Sequence, residues 1–230
     1  AKPRFDKITL SGLTRVGASS MVEAVCLRIG FLMLARLIAG IGTNAFAAYQ
    51  IVSQVTSLSF TLGDGVSTAG TSLVGQSLGA RRKDLAMAHA GVAYRMGIMV
   101  SILLMVVISL TSRQIALLFT TDEAIIQGVT ASLYVVILSM MPQNGRVVYS
   151  GVLRGAGDVK FVAVCALVSV AVLRPVLTWL FCYPVADALP QYPNVAVMAP
   201  WIAFLIDSLV RDRLLAHRVK QGKWLEIKLS

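Results

Sequence analysis

Ser19–Gly42 reads SSMVEAVCLRIGFLMLARLIAGIG. Its length suits a bilayer crossing, which takes about 20 apolar residues. One acid, Glu23, sits inside the apolar run. A carboxylate at that depth is costly, so Glu23 is a functional-site candidate. The rest of the chain repeats the pattern. Of 230 residues, 57% are hydrophobic and 14% are charged, and the mean hydropathy is +0.75. Soluble domains are about a quarter charged. The sequence therefore predicts an all-α polytopic membrane protein.

The net charge is +10, but the basic residues fall in short clusters between apolar runs, as in the cytoplasmic loops of membrane proteins. A nucleic-acid partner is not expected; membrane lipid is. Three cysteines, Cys26, Cys165 and Cys182, lie in or beside apolar segments without framework spacing, so disulfides are not expected. The chain opens at Ala1 with no signal-peptide pattern, which reads as a fragment or a processed form.

Six spans are predicted, at about 17–40, 45–79, 86–110, 125–152, 161–182 and 200–215. The second is too long for one simple crossing, and Gly63-Asp64-Gly65 is the expected bend. Lys and Arg concentrate in alternate connections: Lys2 to Arg15, Arg81 to Lys83, Arg154 with Lys160, and the tail from Arg211 to Lys228. The other connections hold only Arg113. That asymmetry places both ends of the chain in the cytoplasm.

Within the first helix, Arg28 and Arg36 each lie about 140° around from Glu23, at about 100° per residue. Neither can pair with it along that helix. Burial would raise the carboxyl pKa and let it load and release a proton; pairing with an arginine of another span would make it structural instead. In the second span Gln50, Gln54, Ser57, Thr61, Asp64, Thr68 and Ser72 recur every three or four residues. They form one polar stripe. Lipid would not solvate it, so it faces a cavity or packs through small polar residues. In the fourth span Pro142 precedes Gln143, Asn144 and Arg146. A proline removes a helix hydrogen bond and commonly kinks the helix. Polar groups at such a kink line a cavity or pack on protein. Arg174-Pro175 is expected to break the fifth span in the same way. Asp207 is expected to pair with Arg211 near the cytoplasmic surface. Tyr183, Tyr192 and Trp201 are expected at the outer interface, as aromatic belts are. No Ser/His/Asp grouping, HExxH or Walker-type loop is present, so the residues point away from an enzyme and from a metal or organic cofactor.

Several stretches together are familiar. Gly17 to Glu23, GTNAFAAYQI at 42–51, GVSTAGTSLVGQSLGARR at 65–82, GVLRGAGD at 151–158 and GKW at 222–224 occur in order. In this the chain resembles the second half of a multidrug and toxic-compound extrusion (MATE) transporter. The resemblance implies that residues 1–230 are the second, C-terminal six-helix lobe of a twelve-helix protein. Its partner would be the N-terminal lobe of the same transporter. It further implies a multi-pass protein of the plasma (inner) membrane. The activity implied is antiport, the export of amphipathic organic compounds by alternating access, driven by protons or sodium ions. Glu23 aligns with a span-seven acid used in coupling or in the binding cavity. Gln143 stands where some members have a second acid, which weakens the case for a two-acid sodium site. Gln50, Gln54, Ser57, Thr61, Asp64, Gln143, Asn144 and Arg146 are the cavity-lining candidates. A flippase for lipid-linked oligosaccharide precursors stays open, because its substrate is anionic and arginines lie within the spans. A non-transporting membrane scaffold is the other alternative.

Overall fold

The computed structural model describes Val25, residues 28–188 and residues 195–226. Glu23 and Tyr192 lie outside the described residues. The described chain is helical throughout its length, with short turns between helices. Residues 28–39 form α1. Then come α2 (Thr43–Gly79), α3 (Lys83–Phe119) and α4 (Glu123–Gly155). The next is α5 (Val159–Val185), followed by α6 (Val195–Lys220) and a short 3₁₀ turn at Lys223–Glu226. Among the described residues, α3, α4 and α5 are long and apolar enough to cross a membrane. At 1.5 Å per residue, the 37 residues of α2 and of α3 each reach about 55 Å. That exceeds a hydrocarbon core of about 30 Å.

One face of α3 identifies the surrounding solvent. Val92, Met96, Met99, Leu103, Val106 and Leu110 are all exposed. Their spacing of four and three residues puts them on one outward stripe. In water such a stripe would be an aggregation liability, whereas lipid tails cover it at no cost.

The helix at the centre is α4, which packs on α2, α3 and α6. It is buried on nearly every side through its second half. Small residues permit that position. Thr71 Oγ1 donates to the Gly151 carbonyl at 2.9 Å, and Ser67 Oγ donates to the Val147 carbonyl at 2.9 Å. A Cβ on Gly151 would overlap Ser67, and one on Gly155 would overlap the Thr71 backbone. Paired small residues at four-residue spacing are how helices approach closely in lipid.

The ladder of α2 runs unbroken through Gly63-Asp64-Gly65. Gly63 there serves close approach, since a Cβ would meet the Asn144 side chain. Helix α4 likewise continues through Pro142. In α5 the expected break before Arg174-Pro175 is a π-helical turn at Ser169–Leu173, and a second follows at Phe181–Val185 around Pro184. Each wider turn carries the helix past a proline that lacks a donor.

Two apolar clusters fill the bundle. One gathers Val52, Val129, Leu133, Met140, Trp201 and Phe204. The other gathers Val74, Ala90, Val152, Leu153, Leu215 and Trp224. Along α4 they end at Met140 and begin again at Val148; along α6 they end at Phe204 and begin again at Leu215. The residues between form a polar layer across the middle of the bundle. The second cluster is closed by the chain's end. Trp224 Nε1 donates to the Val219 carbonyl at 2.8 Å, and Arg218 meets Asp158 at 2.8 Å.

Candidate functional site

The polar layer draws on three helices. From α4 come Gln143, Asn144 and Arg146; from α5, Arg174; from α6, Asp207, Ser208 and Arg211. All seven are buried, and Gln143, Asn144 and Asp207 are at 0% exposure. Arg174 Nε–H donates to Asp207 Oδ2 at 3.1 Å. Arg146 Nε–H reaches Ser208 Oγ at 3.4 Å. Asn144 Nδ2–H donates to Ser101 Oγ at 2.8 Å, tying α4 to α3.

The pairing of Asp207 corrects the sequence expectation. Its hydrogen-bonded partner is Arg174 of α5, and it lies deep in the bundle, with Arg211 buried in the same layer. The π-helical turn ends at Leu173, and Arg174 follows it with its side chain buried. Trp201 also differs from the interfacial placement expected of it. It is buried and stacks on Tyr49 with ring centroids 5.2 Å apart. Tyr183, by contrast, is exposed.

Aromatic rings lie against two of the arginines. The Arg174 guanidinium carbon lies 4.5 Å from the Phe204 ring centroid. That of Arg146 lies 5.3 Å from Phe60 and 5.7 Å from Phe204. These are cation–π distances, and desolvation strengthens such contacts. They hold two cations in a low-dielectric interior. The layer holds three buried arginines and one buried aspartate, with half-buried Asp212 against Gly145 beside it. Several polar atoms in it have no hydrogen-bond partner among those residues: both amide atoms of Gln143, Asn144 Oδ1, Asp207 Oδ1 and Arg211 Nε. Buried polar groups are nearly always hydrogen-bonded, so these atoms call for a partner such as water, an ion or a ligand.

Beside this layer a cavity of about 420 Å³ opens at the lobe surface. Its lining combines aromatic rings (Tyr49, Phe60, Trp201, Phe204) with polar side chains (Arg28, Gln50, Ser57, Arg174). An apolar hollow with a few convergent polar groups is the usual form of a small-molecule site.

The sequence candidates thus divide into two sets. Gln143, Asn144 and Arg146 lie inside the bundle, in the polar layer. Gln50, Gln54, Ser57, Thr61 and Asp64 are exposed along one face of α2. Gln50 and Ser57 reach the cavity, and the others continue along the helix beside it. Ser57 and Thr61 donate to carbonyls of their own helix, Gln54 and Ser57, at 2.7 and 3.0 Å. Gln50, Gln54 and Asp64 are left as the groups that look outward. Asp207 and Trp201 are the site residues that the sequence reading placed elsewhere, and Arg174 was read as a cation within its span without its partner. Arg174 carried a signal in the proline after it. Asp207 carried one in its position inside an apolar span, where an acid is a functional candidate by default.

Comparison with known proteins places this geometry. The sequence pattern of the family described as MatE matches residues 19–180. A probable multidrug resistance protein NorM from Thermotoga maritima is 25% identical over 212 residues, which are 92% of this chain and 44% of the relative. The crystal structure of a MATE protein in the bent conformation superposes with a TM-score of 0.80 at 18% identity, covering 96% of this chain and 48% of the other. A transporter of the MOP superfamily from Pyrococcus furiosus, described with a binding pocket of reverse polarity that suggests a different function, superposes at 0.79 with 19% identity. It covers 98% of this chain and 49% of that one. The chain spans about half the length of the proteins it matches.

Proposed function

Because this chain belongs to the MATE family, we propose that it is the C-terminal six-span lobe of a cation-coupled antiporter that exports amphipathic organic compounds by alternating access. The N-terminal lobe of the same transporter is its partner, and the chain's two ends lie on the cytoplasmic side of the plasma membrane. Protons or sodium ions drive the exchange. No catalytic step is assigned to the lobe.

The observation that carries this reading is the outward face of α2. Its inner face, Val52, Val55, Ser59 and Gly63, is buried within the lobe. Its other face exposes Gln54, Ser57, Thr61 and Asp64. A face with a carboxylate and amides cannot lie against lipid without cost. It needs water and a second wall of protein, which is what a partner lobe across a central cavity supplies. The half-length match to every relative named above agrees with that arrangement.

Glu23 is the proposed coupling residue, on the resemblance of its segment to the seventh span of the family. The expected result is that Glu23→Gln in the full-length transporter abolishes gradient-driven efflux while leaving membrane expression unchanged. The check is dye efflux from proteoliposomes under an imposed proton or sodium gradient, with drug resistance in cells as the second readout. Unchanged resistance in cells carrying the variant would remove Glu23 from the coupling role. Which gradient drives efflux identifies the ion.

A further inference from the structure

The cavity beside the polar layer has cationic side chains in its lining. Arg28 and Arg174 are in its lining, and among the described residues no Asp or Glu is. Asp207 pairs with Arg174 through that residue's Nε–H and compensates part of its charge from behind, while the described lining itself holds no carboxylate. Asp64 lies one helical turn beyond Phe60, outside the lining. A third cation, Arg146, sits behind the rings of Phe60 and Phe204.

A cationic compound would bind here through the faces of the aromatic rings, as quaternary ammonium groups do in aromatic cages. At Phe60 and Phe204 those interactions are already taken by the protein. Phe204 has two guanidinium groups within 6 Å of its centroid and Phe60 has one. An incoming cation would meet the charge of Arg28 and the partly compensated charge of Arg174, with no carboxylate among the described lining residues. An anion finds the reverse: two guanidinium groups, which bind carboxylate, sulfonate or phosphate through paired N–H donors. Trp201 is also in the lining, and its buried Nε1–H has no acceptor among the described residues. About 420 Å³ accommodates a ring system with one such group.

We propose that this cavity binds amphipathic organic anions, with Arg28 and Arg174 holding the anionic group and Tyr49, Phe60 and Trp201 the aromatic part. The proposal rests on the export reading and names its substrate class.

The test uses the purified full-length transporter in nanodiscs and two ligands that share one ring system. These are naphthalene-2-sulfonate and 2-naphthylmethylammonium, titrated by calorimetry. The sulfonate is expected to bind at least tenfold more tightly. Arg28→Gln, at an exposed position, is expected to erase most of that preference. The double variant Arg174→Gln/Asp207→Asn removes both members of the ion pair and is expected to do the same without stranding a charge. Equal or tighter binding of the ammonium compound would overturn the proposal. So would a sulfonate preference that survives both variants. Gradient-driven transport in proteoliposomes separates the two readings. Sulfonate preference in binding with no transport of either compound contradicts export and upholds the anion site. Transport of the ammonium compound alone upholds export and contradicts the anion site.

Discussion

Asp207→Ala lowers the stability of the folded protein by about 3–5 kcal/mol, the cost of breaking a buried ion pair by removing one partner. Asp207 is fully buried, and the Arg174 side chain is at 10% exposure. Without the carboxylate, Arg174 stays inside the bundle with its charge uncompensated. Arg146 and Arg211 are close enough to interact electrostatically with the same pair, so three cations then share one interior. The Phe204 ring faces two of them and cannot replace a full negative charge. The partner experiment separates charge from shape. Arg174→Leu/Asp207→Leu removes both charges and keeps volume in the layer. Replacing a buried pair by apolar residues of similar size is often neutral or stabilising. The double variant is therefore expected to recover most of the loss. Chemical unfolding in detergent micelles measures both variants. A single variant within 1 kcal/mol of the native protein would show that the pair carries no structural weight.

The second large effect is at the α2–α4 contact. Gly155→Val is expected to prevent the two helices from reaching their native separation. A Cβ at Gly155 would meet backbone atoms of Thr71, its carbonyl oxygen, Cα and carbonyl carbon. Backbone cannot swing aside as a long side chain does. Overpacking of this kind costs about 1–3 kcal/mol for a small addition, so Gly155→Ala sets the lower end and valine exceeds it. Separation of the helices also breaks the hydrogen bonds from Ser67 and Thr71 to α4, each worth about 0.6 kcal/mol in a membrane protein. Gly91 is the control. Among the described residues nothing lies within 4 Å of a Cβ added there, and it is inside α3. Gly91→Ala is expected to be neutral or to stabilise by up to about 1 kcal/mol, the helix-propensity difference. Retention of monodisperse protein on size-exclusion chromatography, with unfolding midpoints, compares the three variants. A Gly155→Val protein as stable as the Gly91→Ala protein would contradict the packing.

The helical class was legible because apolar runs of bilayer length leave little else to form. So was the polar face of α2, since residues recurring every three or four positions share a helix face whatever packs around it. The cluster at Gln143, Asn144 and Arg146 was legible as polar groups at membrane depth. What the sequence hid was pairing between helices. Asp207 and Arg174 are 33 positions apart, and only the packing of α5 on α6 makes them neighbours. The same Asp207 has an arginine four residues on, and that local partner was the simpler inference. The π-helical turn before Arg174 was hidden too. Proline predicts a lost hydrogen bond, but not whether the helix breaks, kinks or widens. Trp201 resembled a belt residue by position and is held inside by Tyr49, a contact across helices.

The account turns on the α2 face being the wall of a substrate path. Gln54→Cys and Ser57→Cys, each placed in the full-length transporter with its native cysteines replaced, test this with membrane-impermeant maleimides applied to either side of oriented vesicles. The predicted result is labelling at both positions from both sides, with the ion gradient shifting the balance between sides and bound substrate slowing the reaction. Failure of the impermeant reagents to label either position, while a lipid-soluble maleimide labels both, would place the face against lipid and contradict the account.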